Sequence, residues 1–354
     1  MTGIVDPRTW PEPPAWLYAV AGVLAFVLAV QLLGEATATF APDLERLFRL
    51  SVDDAPSALG VSWLASYVVN NGSVVAAVAV TLFDAGILTD VELFMLVAGT
   101  RLGGAGVVVL VGAIDHLHNP RATVRRSVSM GVLTFLAAIA VFTPAVPVGY
   151  VVVGRFPSSR ALEEVADGGF GLPHPLAPLL DAVVGTVGWL VFPIALLLLF
   201  AGLHAFHRAF DRVDTRALRE RYLAYLNQRW MLFGLGALVT GLTTSVAFSL
   251  GVVVPLYNRG TVSRREALPY IMGANVATLS DTLLVAVVLG APVAVATVTV
   301  LVLAGTAVTL AALLWFDPFA HAVLGLLERI VEHRAAFAVF AGALIALPLL
   351  LVVA

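Results

Sequence analysis

Two apolar stretches of this chain, 57–82 and 231–257, are interrupted near their middles by polar residues. The first is broken by Asn70-Asn71-Gly72-Ser73 and the second by Thr243-Thr244-Ser245. An unbroken apolar run of about 20 residues can cross a bilayer as one helix with its backbone satisfied internally. A broken run leaves N–H and C=O groups that lipid cannot satisfy, so the break has to be buried in protein or face a watery cavity. Each half holds about 13 residues, roughly 20 Å of helix, which is short of a full crossing. The pattern predicts two re-entrant helical hairpins with their tips near the middle of the membrane.

The two stretches also repeat each other. Val78 and Val252, Val80 and Val254, Leu82 and Leu256, Gly86 and Gly260, Glu92 and Glu266, and Gly99 and Gly273 all differ by 174 positions, without a gap. Interrupted segments at corresponding places in two halves point to a transporter's binding site. The chain is 60% hydrophobic and only 12% charged, whereas soluble domains carry about a quarter charged residues. It reads as an integral membrane protein with one membrane domain, 1–354, because no polar stretch is long enough for a second core. Seven further runs, about 16–34, 93–114, 127–150, 182–205, 268–289, 296–316 and 335–354, are long enough to span. The first lacks a small-residue cleavage site and is expected to be retained. The fold class is therefore an all-α polytopic membrane protein, with about seven full spans plus two hairpins.

Charge sets the expected orientation. Residues 34–55 carry Glu35, Asp43, Glu45, Asp53 and Asp54 against Arg46 and Arg49, and the turn after the first hairpin has Asp84, Asp90 and Glu92. The matching places in the second half are basic: Arg208, Arg212, Arg216, Arg219, Arg221 and Arg229, then Arg259, Arg264 and Arg265. Cytoplasmic loops collect basic residues. One arrangement satisfies every loop: N-terminus in the cytoplasm, C-terminus outside, and two repeats of inverted topology in the cytoplasmic membrane. Arg121, Arg125 and Arg126 then lie inside, as does a loop holding Arg329 and Arg334. The expected division is repeat one at 16–153, an extracytoplasmic loop at 154–181, repeat two at 182–334, and a final transmembrane helix at 335–354. Residues 206–230 are expected to form a cytoplasmic amphipathic helix with Leu218, Tyr222, Tyr225 and Leu226 on one face. Its arginines serve as a topology anchor or contact anionic lipid heads.

The interruptions carry the candidate chemistry. Half-helix N-termini attract anions through N–H donors and the dipole, and carbonyl, amide and hydroxyl oxygens suit a hard cation. Asn70, Asn71, Gly72 and Ser73 form the first tip, and Thr243, Thr244 and Ser245 the second. The plain alternative is that these side chains only cap helices or bond helix to helix. Arg101 lies about eight residues into its span, where a charge costs about 2.5–3.5 kcal/mol or more, so it should face the interior. Its fork either holds an anionic substrate or closes a salt bridge with Asp84 or Asp281. Asp281, beside Thr278 and Ser280, either ligates sodium, carries a proton or pairs with Arg101. His204 and His207, like His116 and His118, have no carboxylate or Cys companions at metal-ligand spacing and suit interfacial packing.

There are no cysteines, which excludes disulfides and thiol chemistry. No phosphate-loop, zinc-protease or serine-elbow pattern occurs, so nothing points to an enzyme or to a bound cofactor. The net charge of −3 gives no pull toward nucleic acid; the partners are the bilayer, a small anion, and sodium or a proton. A homodimer is compatible with the sequence.

The run VNNGSVVAAVAVTLFDAGILTDVELFMLVAGTRLGG resembles the bacterial and animal sodium/phosphate cotransporter family, whose repeat carries a QSSS motif, an apolar helix, a glycine turn and GANIGTT. FVLAVQLLGEAT, PDLERLFRL and PSALGVSWLASYVV are similar to that family's first helix, linker and hairpin start. VVVPLYNRGTVSRREALPYIMGANVATLSD is similar to its second copy and is the closer match. The resemblance covers about 16–120 and 190–294. The QSSS position falls on Asn70-Asn71-Gly72-Ser73 and on Thr244-Ser245-Val246-Ala247. The GANIGTT position falls on Gly99 to Ala105, with Arg101 in place of Asn, and on Gly273 to Leu279, with Asn275 kept. The resemblance implies sodium-driven phosphate uptake, with sodium near Asn70, Ser73, Thr244, Ser245 and Asn275 and with Gly99 and Gly273 as structural glycines. The departures keep two rivals open: a non-transporting structural or regulatory relative, and a proton-coupled transporter of another anion using Arg101 and Asp281.

Overall fold

The structure, a computed structural model, describes residues 13–118, 128–155, 176–211 and 215–353, and among these every regular element is a helix. In chain order they are α1 (Ala15–Thr39), α2 (Ala41–Arg49), α3 (Ala55–Val69), α4 (Gly72–Asp84), α5 (Asp90–His118), α6 (Ser129–Arg155), α7 (Ala177–Val187), α8 (Val191–Asp211), α9 (Thr215–Ala224), α10 (Arg229–Thr243), α11 (Val246–Asn258), α12 (Arg264–Ala277), α13 (Ser280–Leu289), α14 (Pro292–Leu314), α15 (Phe316–Glu332) and α16 (Arg334–Val353). Seven stretches are long and apolar enough to cross a membrane: Ala15–Thr39, Asp90–Leu110, Ser129–Arg155, Ala177–Phe210, Arg264–Leu289, Pro292–Leu314 and Arg334–Val353. They coincide with the seven runs expected from hydropathy, with ends shifted by a few residues.

Two expectations need correction. The region around Arg329 and Arg334 is not a loop: α15 is a 17-residue amphipathic helix that buries Phe316, Ala320, Val323, Leu327 and Ile330. Their alternating spacing of four and three is the signature of a half-buried helix, and the polar residues between them hid it from a search for continuous apolar runs. Nor is 206–230 one helix, since α8 continues to Asp211 and α9 is a separate element of 10 residues. Tyr222 of α9 is fully buried, and its hydroxyl donates to the Glu266 carbonyl at 2.9 Å. Arg121, Arg125 and Arg126, and most of the expected 154–181 loop, lie outside the described residues.

The 174-residue offset holds at the level of elements. Helices α3 and α10 have 15 residues each, α4 and α11 have 13 each, and their bounds match at that offset. Between each pair the chain turns through a left-handed residue, Asn70 (φ 55°) and Thr244 (φ 52°). Each is followed by an N-cap. The Asn71 side chain accepts from the N–H groups of Ser73 and Val74, and the Ser245 hydroxyl accepts from Phe248 N–H. Further on, Gly86 (φ 76°) and Gly260 (φ 73°) make the turn a side chain would strain. The next helix is capped by Thr89 with Glu92, and by Ser263 with Glu266.

Close packing completes the correspondence. Helix α3 lies along α5, and α10 along α12. A Cβ on Gly99 would run into the Leu59 carbonyl and the Ser62 hydroxyl, and one on Gly273 into the Phe233 carbonyl. Leu59 and Phe233 are themselves 174 apart. Small residues let backbones approach in this way where lipid offers no hydrophobic drive for helix association. Around these pairs, α6 packs against α5, α12 and α14, and α1 lies along α8.

Candidate functional site

Both breaks open onto one cavity of about 200 Å³, room for roughly six or seven waters at about 30 Å³ each. Its wall takes Asn70, Asn71, Gly72 and Ser73 from the first break, Thr244 and Ser245 from the second, Arg101 from α5, and Asn275 and Thr278 from the end of α12. Nine of the twelve residues singled out from sequence therefore meet at one place, although 208 positions separate the outermost two. The other three stand behind the wall. The Thr243 hydroxyl donates to the Val239 carbonyl at 2.7 Å, as a helix-interior threonine does, and Ser280 reaches the Gly241 carbonyl at 3.4 Å. Asp281 is buried at 2% exposure, one contact away from the cavity.

That contact joins the two halves of the chain. Ser73 Oγ donates to Asp281 Oδ2. The other carboxylate oxygen accepts from the backbone N–H and the hydroxyl of Thr282, and lies 3.9 Å from Arg101 Nη1. Asp281, and not Asp84, is thus the acid that faces Arg101. Arg101 is 5% exposed. It donates from Nε and Nη2 to Thr100 Oγ1, at 3.2 and 3.1 Å, and from Nη1 to the Thr278 carbonyl at 3.1 Å. That carbonyl is placed by the local interruption between α12 and α13, where Thr278 and Leu279 belong to neither helix. Asn275, at the position equivalent to Arg101, donates its amide to the Thr134 carbonyl at 3.2 Å, tying α12 to α6.

The wall carries one guanidinium, with Asp281 behind it. Arg101 lines the cavity, the N-terminal turns of α4 and α11 open onto it, and no carboxylate among the described residues does. Three wall residues carry chemistry that sequence reasoning missed or placed elsewhere. Thr100 supplies the hydroxyl that anchors Arg101, and its only sequence signal was adjacency. Phe142 arrives from α6, away from both helix breaks. His207 lies on the wall, whereas His204 is exposed. The end of α8 carries His207 to the second break, a placement that no local pattern encodes. Among the described residues no group of three or more His, Cys, Asp or Glu side chains converges.

No curated protein and no solved structure matches the chain. Residues 197–327, which run from α8 into α15 and include the second break, Asn275, Thr278 and Asp281, match the family described as Na+/Pi-cotransporter. The matched segment holds the break whose motif stands closer to the family pattern. Over this segment the chain is similar to the Na+/Pi cotransporter family.

Proposed function

We propose that the protein is a secondary active transporter that uses sodium to drive uptake of phosphate, or a similar small anion, across the cytoplasmic membrane by alternating access. One observation carries this reading: both helix breaks, 174 positions apart, deliver their polar residues and helix N-termini to the same cavity beside a buried guanidinium. In this reading α3–α4 and α10–α11 are re-entrant hairpins of two oppositely oriented repeats, with the N-terminus cytoplasmic and the C-terminus outside. The acidic surroundings of the first hairpin and the basic surroundings of the second support that orientation. Arg101 and the N-terminal turns of α4 and α11 attract the anion. The oxygens of Asn70, Ser73, Thr244, Ser245 and Asn275 are the candidate sodium ligands.

Uptake of labelled phosphate into proteoliposomes tests it. Accumulation is expected with an inward sodium gradient and not with choline in its place. No accumulation of phosphate or related oxyanions under any gradient would leave the protein as a non-transporting relative. A second reading, proton coupling to another anion, is favoured by the contacts of Asp281 with Ser73 and Arg101. Under it, uptake driven by a proton gradient alone is lost in Asp281→Asn.

A further inference from the structure

The surroundings of Arg101 are those of a cation site. Thr100 Oγ1, the Thr278 carbonyl and Asp281 Oδ1 surround the guanidinium, at 3.1–3.2, 3.1 and 3.9 Å, and Ser73 Oγ lies against the other oxygen of the same carboxylate. These are a hydroxyl, a main-chain carbonyl and a carboxylate, the ligand types hard metal cations take. The oxygens come from both halves of the chain, Thr100 and Ser73 from the first and Thr278 and Asp281 from the second. A carboxylate buried to 2% exposure stays ionised only with a positive charge beside it. Here that charge is covalently attached. At the equivalent position of the second repeat the chain has Asn275, which is neutral, and the residue equivalent to Asp281 is Val107, so neither charge is duplicated.

We infer that Arg101 is a tethered cation that permanently fills an oxygen-lined cation site between the two repeats, in the place an exchangeable sodium ion would otherwise occupy. A point cation and a guanidinium satisfy the same charge balance with Asp281. Only the free ion can leave, and only the free ion makes occupancy depend on sodium concentration. The inference rests on the transporter reading solely for its consequence, that this half of the site adds no sodium to the coupling ratio. The occupancy itself is a binding property.

The test is a gain of binding in purified protein. Thermal unfolding is compared in sodium chloride and in choline chloride at equal ionic strength. Arg101→Ala is expected to acquire a saturable sodium-dependent rise in unfolding temperature of about 3 °C or more beyond that of the wild type. Adding Asp281→Asn should abolish the gain, because the emptied site loses its negative charge. Arg101→Asn, which copies the residue 174 positions on, is the second variant, with the same gain expected. Arg101→Lys retains a tethered charge and should show none. The inference is overturned if neither neutral variant responds to sodium more than the wild type, if the response survives Asp281→Asn, or if choline serves equally well. Failure to recover either neutral variant in sodium also counts against it, since sodium is expected to replace the missing charge. No uptake measurement enters, so loss of the transport reading would leave this result standing.

Discussion

The two broken helix pairs share their bounds, their left-handed turns and a side-chain cap just after each break, yet they live in different surroundings. The first is clasped. Helix α16 lies along α3, the Tyr67 hydroxyl donates to the Leu344 carbonyl at 3.2 Å, and Trp63 Nε1 donates to the same hydroxyl at 2.7 Å. The second pair turns part of its outer face outward, with Leu238 and Leu242 each 59% exposed. The polar side chains differ as well: Asn70 against Thr244 at the turn, Arg101 against Asn275 on the following helix, Asp54 against Gln228 at the start. Local code and tertiary role are separable here. Residues 55–84 and 229–258 build the same pair of helices twice, and what surrounds each pair decides what it does.

Three experiments sharpen or break that comparison. The largest effect is expected from Asp281→Ala, which leaves Arg101 buried without its opposite charge and removes the acceptor of Ser73. A loss of about 3–5 kcal/mol is expected for breaking a buried pair from one side. Asn275→Ala, at the counterpart of Arg101, gives up one neutral hydrogen bond and should cost about 1–2 kcal/mol. Equal losses in thermal or denaturant unfolding would mean that the guanidinium position is no more critical than the amide position.

The next effect has the opposite sign. A β-branched residue in the left-handed region is strained, and such strain runs to about 1–3 kcal/mol. Thr244→Gly should relieve part of it and raise stability by about 1 kcal/mol, while Asn70→Gly, starting from a residue that tolerates this conformation, should change little. If Thr244→Gly also lowers anion uptake, the strain serves the site; higher stability with unchanged uptake would make Thr244 a turn residue only.

The smallest effect concerns pH. Ser57 N–H donates to Asp54 Oδ1 at 2.9 Å, and this backbone bond holds the Asp54 carboxyl below its ordinary value. A depressed carboxylate adds stability that is present above the usual aspartate range, about pH 4, and is lost as pH falls through the lowered value. Helix α10 begins at Gln228, which makes no such cap. Asp54→Asn should therefore flatten the acid limb of an unfolding-temperature profile, and Gln228→Asp should steepen it. An unchanged profile in both would show that the two starts are electrostatically equivalent.

Much of the architecture was legible because lipid allows few solutions. Apolar length gave the seven spans, and the polar clusters at 70–73 and 243–245 marked the two breaks to within a residue or two of their capped turns. Most of the candidate site followed from the same signal, since residues that cannot face lipid have to face one another. What escaped was long-range or half-exposed. The Ser73 contact with Asp281 depends on how two halves dock, which no local pattern states. His207 reaches the cavity from α8, far in sequence from the break it faces. Helix α15 is half polar, so a search for uninterrupted hydrophobic length passes over it even though its buried positions follow a regular period.

The contacts at Gly99 and Gly273 have a mechanical consequence. With no side chain between the touching main chains, there is no rotamer to switch and no lubricating layer across which one rod could slide past the other. Helices α3 and α10 are each expected to travel locked to the helix they touch, so any rearrangement that exposes the cavity to one face and then the other would swing these couples as rigid bodies. The bending would then concentrate in the few residues linking them to the rest of the bundle.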